Sequence, residues 1–215
     1  MKTALAILAA VGLASVASAQ TFPANAGTVP AVIPDNTGAA SGGVDITFNV
    51  SGTSIGNSLE NVSLTWTPAH TWAGDIVAVL TAPNGDNVHV MARLASGTTN
   101  GAGESSDLLG TYRFFDAGAS FLTAGAAVAG GLPIAPGDYG RYTTLGGTTV
   151  PAADADGYSV FTGDNLNGTW TLRLSDWAGG DVGTVSASSI TIVPTPGAMA
   201  LLGLGGLAAA RRRRA

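Results

Sequence analysis

Short runs in which polar and apolar residues alternate recur through the middle of this 215-residue chain. Asp45-Ile46-Thr47-Phe48-Asn49-Val50, Asn61-Val62-Ser63-Leu64-Thr65-Trp66 and Thr169-Trp170-Thr171-Leu172-Arg173-Leu174 all keep a period of two. That period sends one face of a strand into a core and the other into solvent. Asp75 to Thr81 is almost continuously apolar, as suits a strand covered on both sides. Pro83-Asn84-Gly85-Asp86 then signals a turn, and Val88-His89-Val90-Met91 reads as the returning strand. Tyr112-Arg113-Phe114-Phe115 and Ser189-Ile190-Thr191-Ile192-Val193 supply two more strands. Short strands separated by turns predict an all-β, jelly-roll-like β-sandwich over residues 44–193.

Composition supports the same class. The 31 glycines, with scarce lysine and glutamate, favour turns over amphipathic helices. Gly74 and Gly85 are expected where the backbone needs positive φ. Trp170 and Leu172 share a strand face and are expected in the core. Residues 20–43 are rich in Pro, Ala, Gly and Thr, show no periodicity, and read as a linker or an irregular leading segment. Between Gly118 and Asp156 the pattern fades, which implies a functional insertion or a segment partly ordered on the sandwich surface.

Both ends read as addresses. Lys2, the apolar run from Ala4 to Val16 and Ala17-Ser18-Ala19 before Gln20 form a secretory signal peptide, with cleavage after Ala19. Residues 1–19 are thus expected to be lost on export. At the other end, Val193-Pro194-Thr195-Pro196 precedes an apolar run from Ala198 to Ala210 and the block Arg211 to Arg214. That run is shorter than the roughly 20 residues of a comfortable spanning helix. Its arginines hold the terminus on the cytoplasmic side during export. The order of features in residues 194–215 resembles the PEP-CTERM sorting signal of Gram-negative bacteria, with Thr195 where that family's glutamate usually stands. The resemblance implies a short helical tail, transient inner-membrane association and an exosortase-like sorting enzyme as partner. It further implies delivery to the cell surface or extracellular matrix.

Charge and residue types exclude much else. Arg93, Arg113, Arg141 and Arg173 are the only basic residues between the two ends, against all 14 acidic ones, so the middle carries a net charge of −10. Such a domain repels nucleic acid and anionic lipid. The absence of cysteine removes disulfides, thiolate metal sites and thiol nucleophiles. Only His70 and His89 can serve as imidazole bases, and neither lies in a recognisable catalytic motif. Gly52-Thr53-Ser54 looks like a protease serine motif but lacks its continuation. No pair of the carboxylates is singled out for glycoside hydrolysis. No enzyme activity is expected.

Two further segments carry a family resemblance. The first is His70-Thr71-Trp72-Ala73-Gly74-Asp75-Ile76-Val77-Ala78-Val79-Leu80, running into Ala82-Pro83-Asn84-Gly85. The second is Phe161-Thr162-Gly163, Asn167-Gly168-Thr169-Trp170-Thr171-Leu172, Asp176 and Gly180-Asp181-Val182-Gly183-Thr184. With Thr111-Tyr112-Arg113-Phe114-Phe115-Asp116 between them, they resemble the P domain (P/Homo B domain) of subtilisin-like proprotein convertases. The resemblance implies a jelly-roll-like sandwich without catalytic residues that stabilises a protease, found also as standalone exported copies. A protease is then one partner class. A family-level serine-peptidase label would not describe this chain.

Two ligand classes follow. Calcium takes several carboxylate and carbonyl oxygens from loops. Asp75, Asp176 and Asp181 lie in turns that the P-domain resemblance brings together, with Asp154-Ala155-Asp156-Gly157 as a weaker alternative. Asp75 as a turn cap and His70 as a hydrogen-bonded core residue are the plainer readings. Trp72 and Trp177 fall in loops, where they either pack at the sandwich end or form a sugar-stacking platform for matrix polysaccharide. The function expected is that of an exported surface or matrix protein with a binding or structural module. The alternatives are an accessory module acting in trans with a subtilisin-like protease, and a carbohydrate-binding module.

Overall fold

Alternating side chains are buried between two sheets, as the period-two pattern requires. The computed structural model describes residues 18–35, 42–95, 102–143 and 157–194. The signal segment through Ala17, Asp154 and Asp156, and the sorting tail from Thr195 onward, including Pro196, lie outside the described residues.

The first sheet runs β1 (Gln20–Pro23), β10 (Thr184–Pro194), β4 (Asn57–His70), β7 (Leu108–Phe115), β8 (Gly137–Gly140), and β2 (Ala31–Val32) also pairs with β10. The second runs β3 (Val44–Val50), β9 (Gly168–Asp176), β5 (Ile76–Thr81), β6 (Asn87–Ala92). Pairing is antiparallel except between β7 and β8. From β4 come Val62, Leu64 and Trp66, from β3 Ile46 and Phe48, and from β9 Trp170, Leu172 and Leu174; all eight are fully buried. The Trp170 indole N–H donates to the Leu166 carbonyl at 2.9 Å, and its ring meets Phe161 edge-on at 4.8 Å. A buried indole so satisfied contributes its area without a desolvation penalty.

Two segments differ from the sequence expectation. The stretch read as a linker supplies β1 and β2, both laid on β10. Ala31 and Ile33 enter the core and Phe22 packs against it. Prolines 23, 30 and 34 obscured the strands, yet strand termini and edges tolerate proline because no neighbour needs its N–H. The patternless stretch after Gly118 is also partly built into the core. A one-and-a-half-turn helix, α1 (Phe121–Ala126), starts where the Ser120 hydroxyl accepts the Thr123 amide. Phe121 packs edge-on against Phe114 and Tyr139, at 5.2 and 5.0 Å between ring centroids. Ile134 is fully buried, so this stretch closes over Tyr112 and Phe114 rather than decorating the surface.

Candidate functional site

Where β4 ends and β9 ends, the two resembling segments meet. His70, the last residue of β4, is fully buried. Its Nε2 lies 3.1 Å from Oδ2 of Asp176, the last residue of β9, and the Trp72 amide donates to its Nδ1 at 3.3 Å. Because Nδ1 accepts, the ring proton sits on Nε2 and points at the carboxylate. Asp176 also accepts the Ala178 amide at 3.0 Å. The Thr71 hydroxyl donates to Asp181, and the Trp177 amide donates to the Asp75 carbonyl at 2.9 Å. Gly183 backs onto His70, since a Cβ there would lie 2.6 Å from the histidine Cβ. The conjunction of His-Thr with Asp, Gly-Asp and Gly is therefore a seam between the two sheets.

Asp75 lies under that seam, in a 3₁₀ turn at Ala73–Asp75, and is 2 % exposed. It does not cap the turn. Its Oδ1 makes no hydrogen bond, and the Arg93 guanidinium stands 3.8 Å away. Burial, then the charge of Asp176, push its pKa up to about 6 against the opposing pull of Arg93. Gly74 is required here for a reason other than positive φ. A Cβ would come 2.5 Å from the Glu104 amide nitrogen, so the backbones approach too closely for any side chain. Gly85 has φ +98°, as the turn signal predicts.

The three carboxylates expected to share calcium point to separate partners. Asp176 serves His70 and Ala178, Asp181 serves Thr71, and Asp75 faces Arg93. Among the described residues no group of three or more acidic or imidazole side chains is placed to hold a metal ion. The donor set does not fit a calcium cage of 6–8 oxygens.

Neither imidazole is open to solvent. Both ring nitrogens of His70 are engaged away from solvent. His89 is 2 % exposed, and burial together with Arg141 lowers its pKa, which keeps the ring neutral. Thr53 of the serine-like motif pairs with Asn167, and the Ser54 carbonyl accepts the Asn57 amide in the turn into β4.

Trp72 and Trp177 are held by different partners. The Trp72 indole donates to the Ala102 carbonyl at 2.7 Å, which ties it to the loop before β7. Trp177 donates to the Ser175 hydroxyl at 3.0 Å and lies on the outer face of the second sheet. There it lines a groove of about 230 Å³ with Val77, Val79, Thr81, Asn87, Arg173 and Ser175. Register explains the set: Val77 pairs with Ser175, Val79 with Arg173, and Thr81 with Asn87. Inward-facing Ile76, Ala78 and Leu80 alternate with them and are fully buried. This groove was missed in the sequence. The continuous apolar run of β5 hides which residues face out, and only the pairing with β9 shows it.

An arginine bracket was also missed. Arg141 bonds Asp116 at 2.7 Å and the His89 carbonyl at 2.7 Å, and lies over the Tyr158 ring at 5.0 Å. Asp116 in turn accepts the Tyr158 amide. The bracket ties the end of β7 to β6 and to the 3₁₀ turn Gly157–Phe161, a structural task.

No family model matches the chain, and no curated protein matches it. Among solved structures, the Aeromonas sobria serine protease and chaperone (ORF2) complex aligns over 82 % of this chain and 26 % of that one, at 15 % identity and a TM-score of 0.41. This chain thus spans about a quarter of that chain's length, and a likeness at this level assigns neither family nor function.

Proposed function

We propose that the chain is an exported, non-catalytic surface or extracellular-matrix protein whose β-sandwich works as a binding or structural module. The observation that carries the non-catalytic part is the enclosure of His70: a general base must reach a solvent-borne substrate, and both its nitrogens are committed inside the protein. Export is supported by the signal-peptide pattern and by the place of its cleavage site. Ser18 and Ala19 are exposed, and Gln20, the first residue after the cut, is the first residue of β1. Gln20 pairs with Ile192, two residues before β10 ends at the sorting motif Val193-Pro194-Thr195-Pro196. Gln20 and Pro194 therefore lie at the same end of the sandwich. A domain tethered on both sides would fold with that end towards the inner membrane, where an exosortase-like enzyme would remove the tail.

A second reading is an accessory module acting in trans with a subtilisin-like protease. It is favoured by the way the two P-domain-like segments, about 100 residues apart in sequence, lock together through His70–Asp176 and Thr71–Asp181. Fractionation of producing cells with intact-mass measurement tests the main reading. The expected product is extracellular or surface-bound, begins at Gln20 and lacks the arginine block. Full-length protein retained in the cytoplasm would contradict it. A serine protease co-purifying in stoichiometric amount would favour the second reading.

A further inference from the structure

We propose that the groove on the outer face of the second sheet binds a neutral polysaccharide, with Trp177 as the stacking platform. The proposal rests on the reading of the chain as an exported binding module. Trp177 is fixed at both ends: its amide is held by the Asp75 carbonyl and its indole N–H by the Ser175 hydroxyl. The ring is half-buried against the sheet, so a sugar face meets an aromatic surface that needs no reordering. Beyond it, Val79 gives an apolar contact over the buried Val77, and Thr81 and Asn87 supply a hydroxyl and an amide, while Ser175 is buried and holds the indole. The stretch of β5 from Val77 to Thr81 spans about 13 Å at the usual rise of an antiparallel strand. This mixture of an aromatic face, small apolar contacts and uncharged hydrogen-bonding groups matches the two-sided chemistry of a pyranose, whose C–H face is apolar and whose rim is hydroxylated.

Charge selects the kind of saccharide. The one cation among the described residues that line the groove, Arg173, already donates to Asp45 at 2.9 Å and to the Gly42 carbonyl at 3.0 Å. Its charge is compensated before any ligand arrives. Among the described residues no acidic one lines the groove, and the surrounding domain carries the negative charge described above. A uronate-rich chain would meet the repulsion of the acidic domain, with the groove's Arg173 already paired to Asp45, whereas a neutral glycan meets none.

Native affinity electrophoresis of the leader-free, tail-free protein tests this, with laminarin, hydroxyethylcellulose, galactomannan and dextran as neutral probes and alginate as the acidic one. The expected result is retardation by at least one neutral polysaccharide and none by alginate. Trp177→Ala should weaken that binding at least about tenfold, as loss of a central aromatic anchor does. Trp72→Phe, outside the groove, should leave it unchanged. Asn87→Ala and Val79→Arg, which alter the groove without touching the seam, carry the test should Trp177→Ala fail to fold. Equal migration with every neutral probe, retardation by alginate alone, or full binding by the folded groove variants would overturn the proposal. Localisation and mass of the mature protein are unaffected by these results, so failure of the groove and failure of the export reading are separate outcomes.

Discussion

Replacing Asp75 with Asn removes a carboxyl group whose ionisation the fold opposes. The side chain is nearly inaccessible, its Oδ1 lacks a hydrogen bond, Asp176 and Asp181 add like charge, and Arg93 only partly compensates. Its pKa of about 6 in the folded state compares with 3.8 for the free group. Between those values the folded state holds the proton while the unfolded state releases it, so stability falls as pH rises through this window and is level above it. At 1.36 kcal/mol per pKa unit the loss is about 3 kcal/mol. Asn cannot ionise. Asp75→Asn should therefore match the parent within about 1 kcal/mol near pH 3.5, and exceed it by a margin that grows to about 3 kcal/mol at pH 7.5. Urea unfolding followed by circular dichroism from pH 3.5 to 8, with chelator present throughout, reads the difference directly. A gap that is independent of pH, or one in which the variant loses ground as pH rises, would refute the assignment of Asp75 as a buried carboxyl group held against ionisation.

Gly183→Ala should destabilise the fold by about 2 kcal/mol, the scale of an overpacked core, because the new methyl meets the His70 backbone and Cβ with no flexible atom to yield; denaturant midpoints measure it. Trp170→Ala should cost about 3–5 kcal/mol through the cavity it leaves, visible as a lowered melting temperature. Tyr158→Phe removes the hydroxyl that donates to the Phe114 carbonyl at 3.0 Å, and should cost about 1 kcal/mol in the same assay. Millimolar calcium should leave the melting temperature within a degree of the chelated sample, since Asp75, Asp176 and Asp181 are turned to separate partners; a rise of several degrees would restore them as a cation site.

The core was legible wherever one strand face alone is buried, as in Val62-Ser63-Leu64-Thr65-Trp66, because alternation is the direct imprint of a half-buried strand. It was illegible in β1 and β8. Gln20–Pro23 commits only Phe22 to the core, and Gly137–Gly140 only Tyr139, so four residues carry no period to read. The neighbourhood of the seam was legible from its motifs, but its wiring was not. That Asp176 rather than Asp181 takes His70, and that Asp75 is left facing Arg93, depends on where β4 and β9 stop. The two tryptophans do fall outside the strands, but which partner each takes was not legible: Trp72 bonds across to Ala102 and Trp177 lies back on its own sheet.

The sandwich is proposed to hold no reaction centre. Incubating the folded, leader-free protein with a fluorophosphonate probe and a mixed peptide library tests it most directly. The enclosure of His70 predicts neither covalent labelling nor peptide cleavage above a heat-denatured control. Labelling or cleavage that disappears in a folded His70→Gln variant would contradict it.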